Sequence, residues 1–283
     1  MLITDSSAYL SPELRAELGI RVVPLHVRLG DWAFDEPDVE PHEFYRRLRE
    51  SDVRPTTSQP SPGEFLAAFV AAAKDGAERI LCLTCSAALS GTHSSATLAA
   101  GMSPVPVDVV DSGTMSGGLT LVVTSVGRAL AGGLAYDDAL LLARSLAGRV
   151  WSTWSSDTTE LLRAGGRLTG AVSREGVAVL ALEGGEVLRL GAARTAEESV
   201  ALQADRIARS AAGHPTWVSV GHGDVPELAD LLAAAVTGRP GVLGVVRYVI
   251  GPVTGAHTGA GTFGANYLVD PANHLVDPSL EAL

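Results

Sequence analysis

Residues 85–96, CSAALSGTHSSA, put five hydroxyl side chains around one glycine: Ser86, Ser90, Thr92, Ser94 and Ser95 surround Gly91. The chemistry open to such a cluster is that of a nucleophile, a phosphate cradle, a carboxylate cradle or a plain helix cap. A cap uses one hydroxyl. That reading leaves unexplained a second hydroxyl-rich segment, PTTSQPS at residues 55–61. A loop that follows a parallel strand and opens a helix is a ready anion site, because free backbone N–H groups and the helix dipole point at the ligand. The two segments together therefore suggest an anion held by neutral donors.

Other chemistries fit less well. The nucleophile elbow G-x-S-x-G is absent, and no His and Asp are assigned by spacing to activate Ser90, so a serine hydrolase or acyltransferase built on Ser90 and His257 is the alternative rather than the leading reading. His93 lies three residues after Ser90 and reads as a solvent-facing or capping residue. A phosphate-binding P-loop is excluded, since Lys74 is the only lysine and ends a helix far from any glycine-rich turn. The segment GAGTFG, residues 259–264, matches the dinucleotide fingerprint letter for letter, but only residues 265–283 follow it, with no second βαβ half. It reads as a loop whose backbone must come close to something. Cys82 and Cys85 stand three apart on a strand, which turns them to opposite faces, and they read as buried core residues, not a metal or redox pair. No metal site and no cofactor are expected.

Composition narrows the partners. The chain has 283 residues, 46% of them hydrophobic, and a formal charge of -11 from 32 acids and 21 bases. That balance argues against nucleic acid and against an anionic membrane surface. No apolar run reaches the ~20 residues of a membrane span, and the N-terminus MLITDSS is no signal peptide, so a cytoplasmic protein without stable membrane insertion is expected. One local exception is the arginine set Arg149, Arg163, Arg167 and Arg174 around LLRAGGRL, which reads as a docking face with Arg167 as the partner contact.

The elements that must carry these residues alternate. LIT, RVVPLHVRL, RILCLTC and VPVDVVDS read as strands, with helices at SPELRAEL, HEFYRRLRE, GEFLAAFVAAAK, the residues after SGTHSSA, and TMSGGLTLVVTSVGRALA. Residues 52–62 read as loop because of their prolines and hydroxyls. The pattern predicts an N-terminal α/β domain, residues 1–150, with a largely parallel sheet. From residue 151 to 283 the reading is an α+β domain: a hairpin VAVLAL-EGGE-VLRLGAAR, a helix opened by a Thr195/Glu198 capping box, then strand, helix and strand at TWVSVGHG, VPELADLLAAAV and VLGVVRYVIGPV.

In order along nearly the whole chain, DSSAYL, VVPLHV, DWAFDEPD, TTSQPSPGEF, LSGTHSSA, VVDSGTMSGG, LLRAGGRL and IGPVTGAHTGAGTFGANY resemble the DegV family. The resemblance implies a bacterial fatty-acid-binding protein with one acyl chain in a buried tunnel. It further implies a non-catalytic carrier subunit serving an ATP-dependent, dihydroxyacetone-kinase-like fatty acid kinase. By the matching motifs the carboxylate is held at Thr57 and at Ser90 and Gly91, with Arg194 and His257 as the polar network behind them. The long-chain fatty acid is the ligand, and no separate cofactor is implied.

Overall fold

The computed structural model describes residues 1–156, 159–168 and 176–270. Four strands make a wholly parallel sheet in the order Ile20–Val23, Leu2–Asp5, Ile80–Thr84 and Val107–Asp111. Its central strand ILCLT is buried at every position, which is why it reads as an unbroken apolar run instead of an alternating one. Helices Pro62–Lys74 and Thr92–Ala100 cover one face, where Phe65, Phe69 and Ala96 pack on Ile3, Ile80 and Cys82. The other face packs Leu81, Leu83 and Cys85 against the helix Gly117–Ala131. The two cysteines thus lie in opposite layers, each buried and free.

The helix Gly117–Ala131 is buried throughout from Gly117 to Gly127, because a second sheet covers its far side. This sheet has six strands, in the order Glu186–Ala193, Val177–Glu183, Val150–Ser156, Phe263–Val269, Thr216–His222 and Val242–Val249, with only the last pair parallel. Trp217, Val246 and Leu268 of this sheet share one core with Leu81 and Val122, so the helix is the common layer of both sheets. Helices Ala196–Ala211 and Pro226–Val236 close the opposite face around Phe263, Ala265 and Tyr267.

Several elements differ from the expectation drawn from sequence; the run RVVPLHVRL, for one, is two strands, Ile20–Val23 of the parallel sheet and His26–Leu29 of a separate three-stranded sheet. Residues 52–62 are not all loop: Thr56–Ser58 is a strand, paired antiparallel with His26–Arg28 in a three-stranded sheet. Pro55 and Pro60 flank the strand without occupying it, so no ladder hydrogen bond is lost. The expected strand VLGVVRYVIGPV ends at Val249, its last two residues opening instead a short helix, Pro252–Thr258, which is followed by the strand Phe263–Val269. The latter carries the end of the GAGTFG run and is buried at all its positions.

Candidate functional site

Ser90 sits in the connection that leaves strand Ile80–Thr84. Three contacts fix where that connection starts: Cys85 N donates to Asp5 Oδ2 at 2.7 Å, Ser86 N to Thr114 O at 2.7 Å, and Ala87 N to Asp111 Oδ1 at 3.1 Å. The N-cap of helix Thr92–Ala100 is Gly91, which has no side-chain cap, so Ser90 is not the cap. Its hydroxyl lies 2.9 Å from Thr92 Oγ1 and accepts from Thr92 N at 3.3 Å. Gly91 has a packing reason to be glycine: a Cβ there would collide with the side chain of Gln59. The Gln59 amide thus lies directly over Gly91, which brings the two hydroxyl segments side by side.

Thr57 stands at the middle of the short strand, opposite Val27. Its hydroxyl is 2.8 Å from His257 Nε2. His257 comes from the helix Pro252–Thr258, whose first turn is tied to the N-terminal half by Val253 N donating to Glu36 Oε1 at 2.8 Å. Arg167 arrives from the turn after helix Glu160–Ala164. Its Nε donates to Leu89 O at 3.2 Å and its Nη1 to Gly165 O at 2.6 Å. A Cβ on Gly165 would come within 2.9 Å of His257 Nδ1 and 3.1 Å of Arg167 Nη1, so this glycine lets the ring and the guanidinium close up on the turn. Burial, reinforced by the Arg167 charge, pushes the His257 imidazolium down to about 4, so the ring is neutral near pH 7. Burial also lowers Arg167, which stays cationic.

These side chains line one cavity, enclosed by the six-stranded sheet, the strand Thr56–Ser58, the helix Pro252–Thr258 and the loops that follow the parallel strands. Its walls include Leu25, Leu89, Leu162, Leu182, Val187 and Ile250, and Thr57, Ser90, Arg167 and His257 supply its polar end. Its atom-free space is about 1040 Å³ with the mouth counted, of which about 120 Å³ admits the centre of a water-sized body. An apolar enclosure with a few convergent donors suits an amphipathic ligand with an acceptor head.

Thr57, Ser90, Gly91 and His257 are brought together as the sequence suggested; Arg194 is not. Its side chain is 90% exposed and pairs with Glu198 at 3.2 Å. Ala193 is the last inward residue of its strand, and the next one turns out toward helix Ala196–Ala211. The expected capping box is half formed: Thr195 Oγ1 accepts from Glu198 N, while the Glu198 carboxylate accepts from Arg194 N. Arg167, expected as the partner contact of a docking face, is half buried in the cavity wall. Arg174 of the same arginine set lies outside the described residues. Ser90 and His257 each bond another hydroxyl, Thr92 and Thr57, and no Ser90–His257 hydrogen bond joins them among the described residues.

Sequence reasoning passed over Gln59, Asp5 and Glu36. Gln59 directly follows TTS, and its proximity to Gly91 has no sequence signal. Asp5 and Glu36 are buried carboxylates inside the quoted motifs DSSAYL and DWAFDEPD.

A sequence model described as "Uncharacterised protein, DegV family" matches residues 1–270. The chain belongs to the DegV family. A DegV domain-containing protein of Streptomyces coelicolor is 36% identical over 271 residues, covering 93% of this chain and 96% of that protein. Among solved structures, a DegV family protein from Thermus thermophilus, described by its fatty acid binding, superposes with a TM-score of 0.89 at 31% identity over 95% of this chain and 99% of that one. A DegV lipid-binding protein from Thermotoga maritima gives 0.87 at 25% identity, over 95% and 97%. The mixed α/β architecture is that of these DegV structures. No helix among the described residues is long and apolar enough to cross a membrane.

Proposed function

We propose that this DegV chain is a non-catalytic carrier that binds one long-chain fatty acid in the cavity and presents its carboxylate to a separate ATP-dependent kinase. The observation that carries the reading is the cavity itself: an apolar enclosure with Thr57, Ser90, Arg167 and a neutral His257 gathered at one place. The DegV relatives from Thermus thermophilus and Thermotoga maritima, described as fatty-acid- and lipid-binding, support the ligand class.

The energetics divide the work. Each buried methylene contributes ~0.8 kcal/mol, so a chain of about sixteen carbons brings roughly 12 kcal/mol before ordering costs. A hydrogen bond to the carboxylate adds ~1.5 to 3 kcal/mol. The walls therefore supply affinity and the polar end supplies orientation. Arg167 spends Nε and one Nη1 hydrogen on the Leu89 and Gly165 carbonyls, which leaves it three of its five N–H donors, on Nη1 and Nη2, for a carboxylate. A carboxylate oxygen held by neutral hydroxyls and one remaining guanidinium edge keeps nucleophilic character. In the proposed reaction that oxygen attacks the γ-phosphorus of ATP on the kinase, the bond to ADP breaks, and an acyl phosphate forms in the carrier.

The test is reconstitution of fatty-acid-loaded protein with ATP and its kinase, trapping acyl phosphate with hydroxylamine. Hydroxamate is expected only when all three are present. Ester hydrolysis by the protein alone, lost in Ser90→Ala, would favour the hydrolase instead.

A further inference from the structure

The motif VVDSGTMSGG ends at a part of the cavity that, among the described residues, shares no hydrogen bond with the Thr57, His257 and Arg167 group. There Ser152 Oγ donates to Asn266 Oδ1 at 2.6 Å, Asn266 Nδ2 donates to Tyr248 Oη at 3.1 Å, and Tyr248 Oη lies 2.7 Å from Ser116 Oγ. All four line the cavity, and their residual exposures of 5 to 8% place them deep inside the protein. A run of four linked polar side chains is unexpected in a wall whose task is to bury methylenes.

A count of hydrogens shows what the run lacks. One hydroxyl hydrogen serves the Ser116–Tyr248 contact, whichever residue donates it. The other hydroxyl hydrogen of that pair has no acceptor among the described residues, and neither has the second Nδ2 hydrogen of Asn266. The wall therefore has donors to spare.

The wall is also held rigid. Ser116 has φ 59° and ψ -141°, a backbone region that is essentially glycine's own. A Cβ on Gly117 or Gly221 would collide with the Tyr248 ring, so both glycines pack flat against it. A Cβ on Gly118 would meet Asn266 Oδ1 at 3.2 Å. Strain at a non-glycine residue persists only where its surroundings impose it, and here it brings a hydroxyl to a cavity wall.

We propose that this wall is a second polar subsite, which accepts an oxygen carried along the acyl chain, so that the preferred cargo is a hydroxylated or oxo fatty acid rather than a plain one. The inference rests on the carrier reading above. A plain chain crossing the wall leaves its spare donors without water or partner, and an in-chain oxygen accepts from them.

The experiment titrates delipidated full-length protein with octadecanoic acid and with a series of its monohydroxy isomers. At least one isomer is expected to bind about tenfold tighter than the plain acid. Ser116→Gly suits the positive φ and removes the hydroxyl, so it tests the subsite without threatening the fold. It and Tyr248→Phe each take one hydroxyl out of the wall and are expected to bind octadecanoic acid at least as tightly as wild type, because a plain chain no longer strands that hydroxyl, and to lose the preference. Equal affinity for every isomer and the plain acid, or a preference that survives in both variants, would overturn the inference. So would equal weakening of plain and hydroxylated acids in Ser116→Gly, which would make this wall the head-group site. Failure of the wild type to bind any of these acids is a different result, and it removes the carrier reading as well.

Discussion

Glu36→Gln should flatten part of the pH dependence of folding stability. Glu36 is 4% exposed, accepts from Ser6 Oγ at 2.6 Å and from Val253 N at 2.8 Å, and has no basic partner among the described residues. Burial pushes its carboxyl from the ordinary 4.5 up to about 7, and the neighbouring Asp5 adds to the rise. The native chain then holds a proton that the unfolded chain has released. Stability from this group is present in full below pH 4.5 and is lost as pH rises through about 7. At about 1.4 kcal/mol per pH unit, the interval amounts to roughly 3 kcal/mol, most of it falling between pH 5 and 8. The assay is denaturant unfolding of wild type and variant at steps across that range. The difference between the two stabilities should shift in favour of Glu36→Gln by that amount as pH rises. A constant offset from an imperfect amide hydrogen bond does not matter, and His257, which titrates in both proteins, cancels. Parallel stability curves would refute the reasoning.

Thr57→Val combined with Ser90→Ala should leave the protein folded and weaken fatty acid binding by at least about ten- to a hundredfold, the loss of a single hydrogen bond to a charged group, as read by displacement of a fluorescent fatty acid. An unfolded double variant would mean that the hydroxyls serve the fold. Gly91→Ala should push the Gln59 amide aside and reduce affinity, measured in the same titration, because the new Cβ falls where that amide lies. Arg194→Ala should bind like wild type while Arg167→Met binds more weakly, since only Arg167 lines the cavity; the reverse order would return Arg194 to the site.

How much of this was legible in the sequence depended on whether a residue's role was local. The parallel sheet was readable because its inner strand ILCLT is buried on both faces and leaves a continuous apolar run. The hydroxyl cluster was readable because it directly follows such a strand. The strand Phe263–Val269 was not, because Gly264 is there to admit Trp154 and Asn266 to join the polar wall, which breaks any simple pattern. Thr56–Ser58 was masked by prolines that stop just outside it. The choice between Arg167 and Arg194 was illegible for a further reason: Arg167 reaches Leu89 from 78 positions away in the chain, and no spacing rule carries such a contact.

The central claim is that the cavity holds one fatty acid, unattached. Native mass spectrometry of the purified protein tests it most directly, before and after incubation with excess long-chain fatty acid and again under denaturing conditions. One fatty acid mass per chain is expected in the native spectrum, and the bare chain after denaturation. A chain that takes up no lipid even in excess, or an acyl mass on Ser90 that survives denaturation, would contradict it.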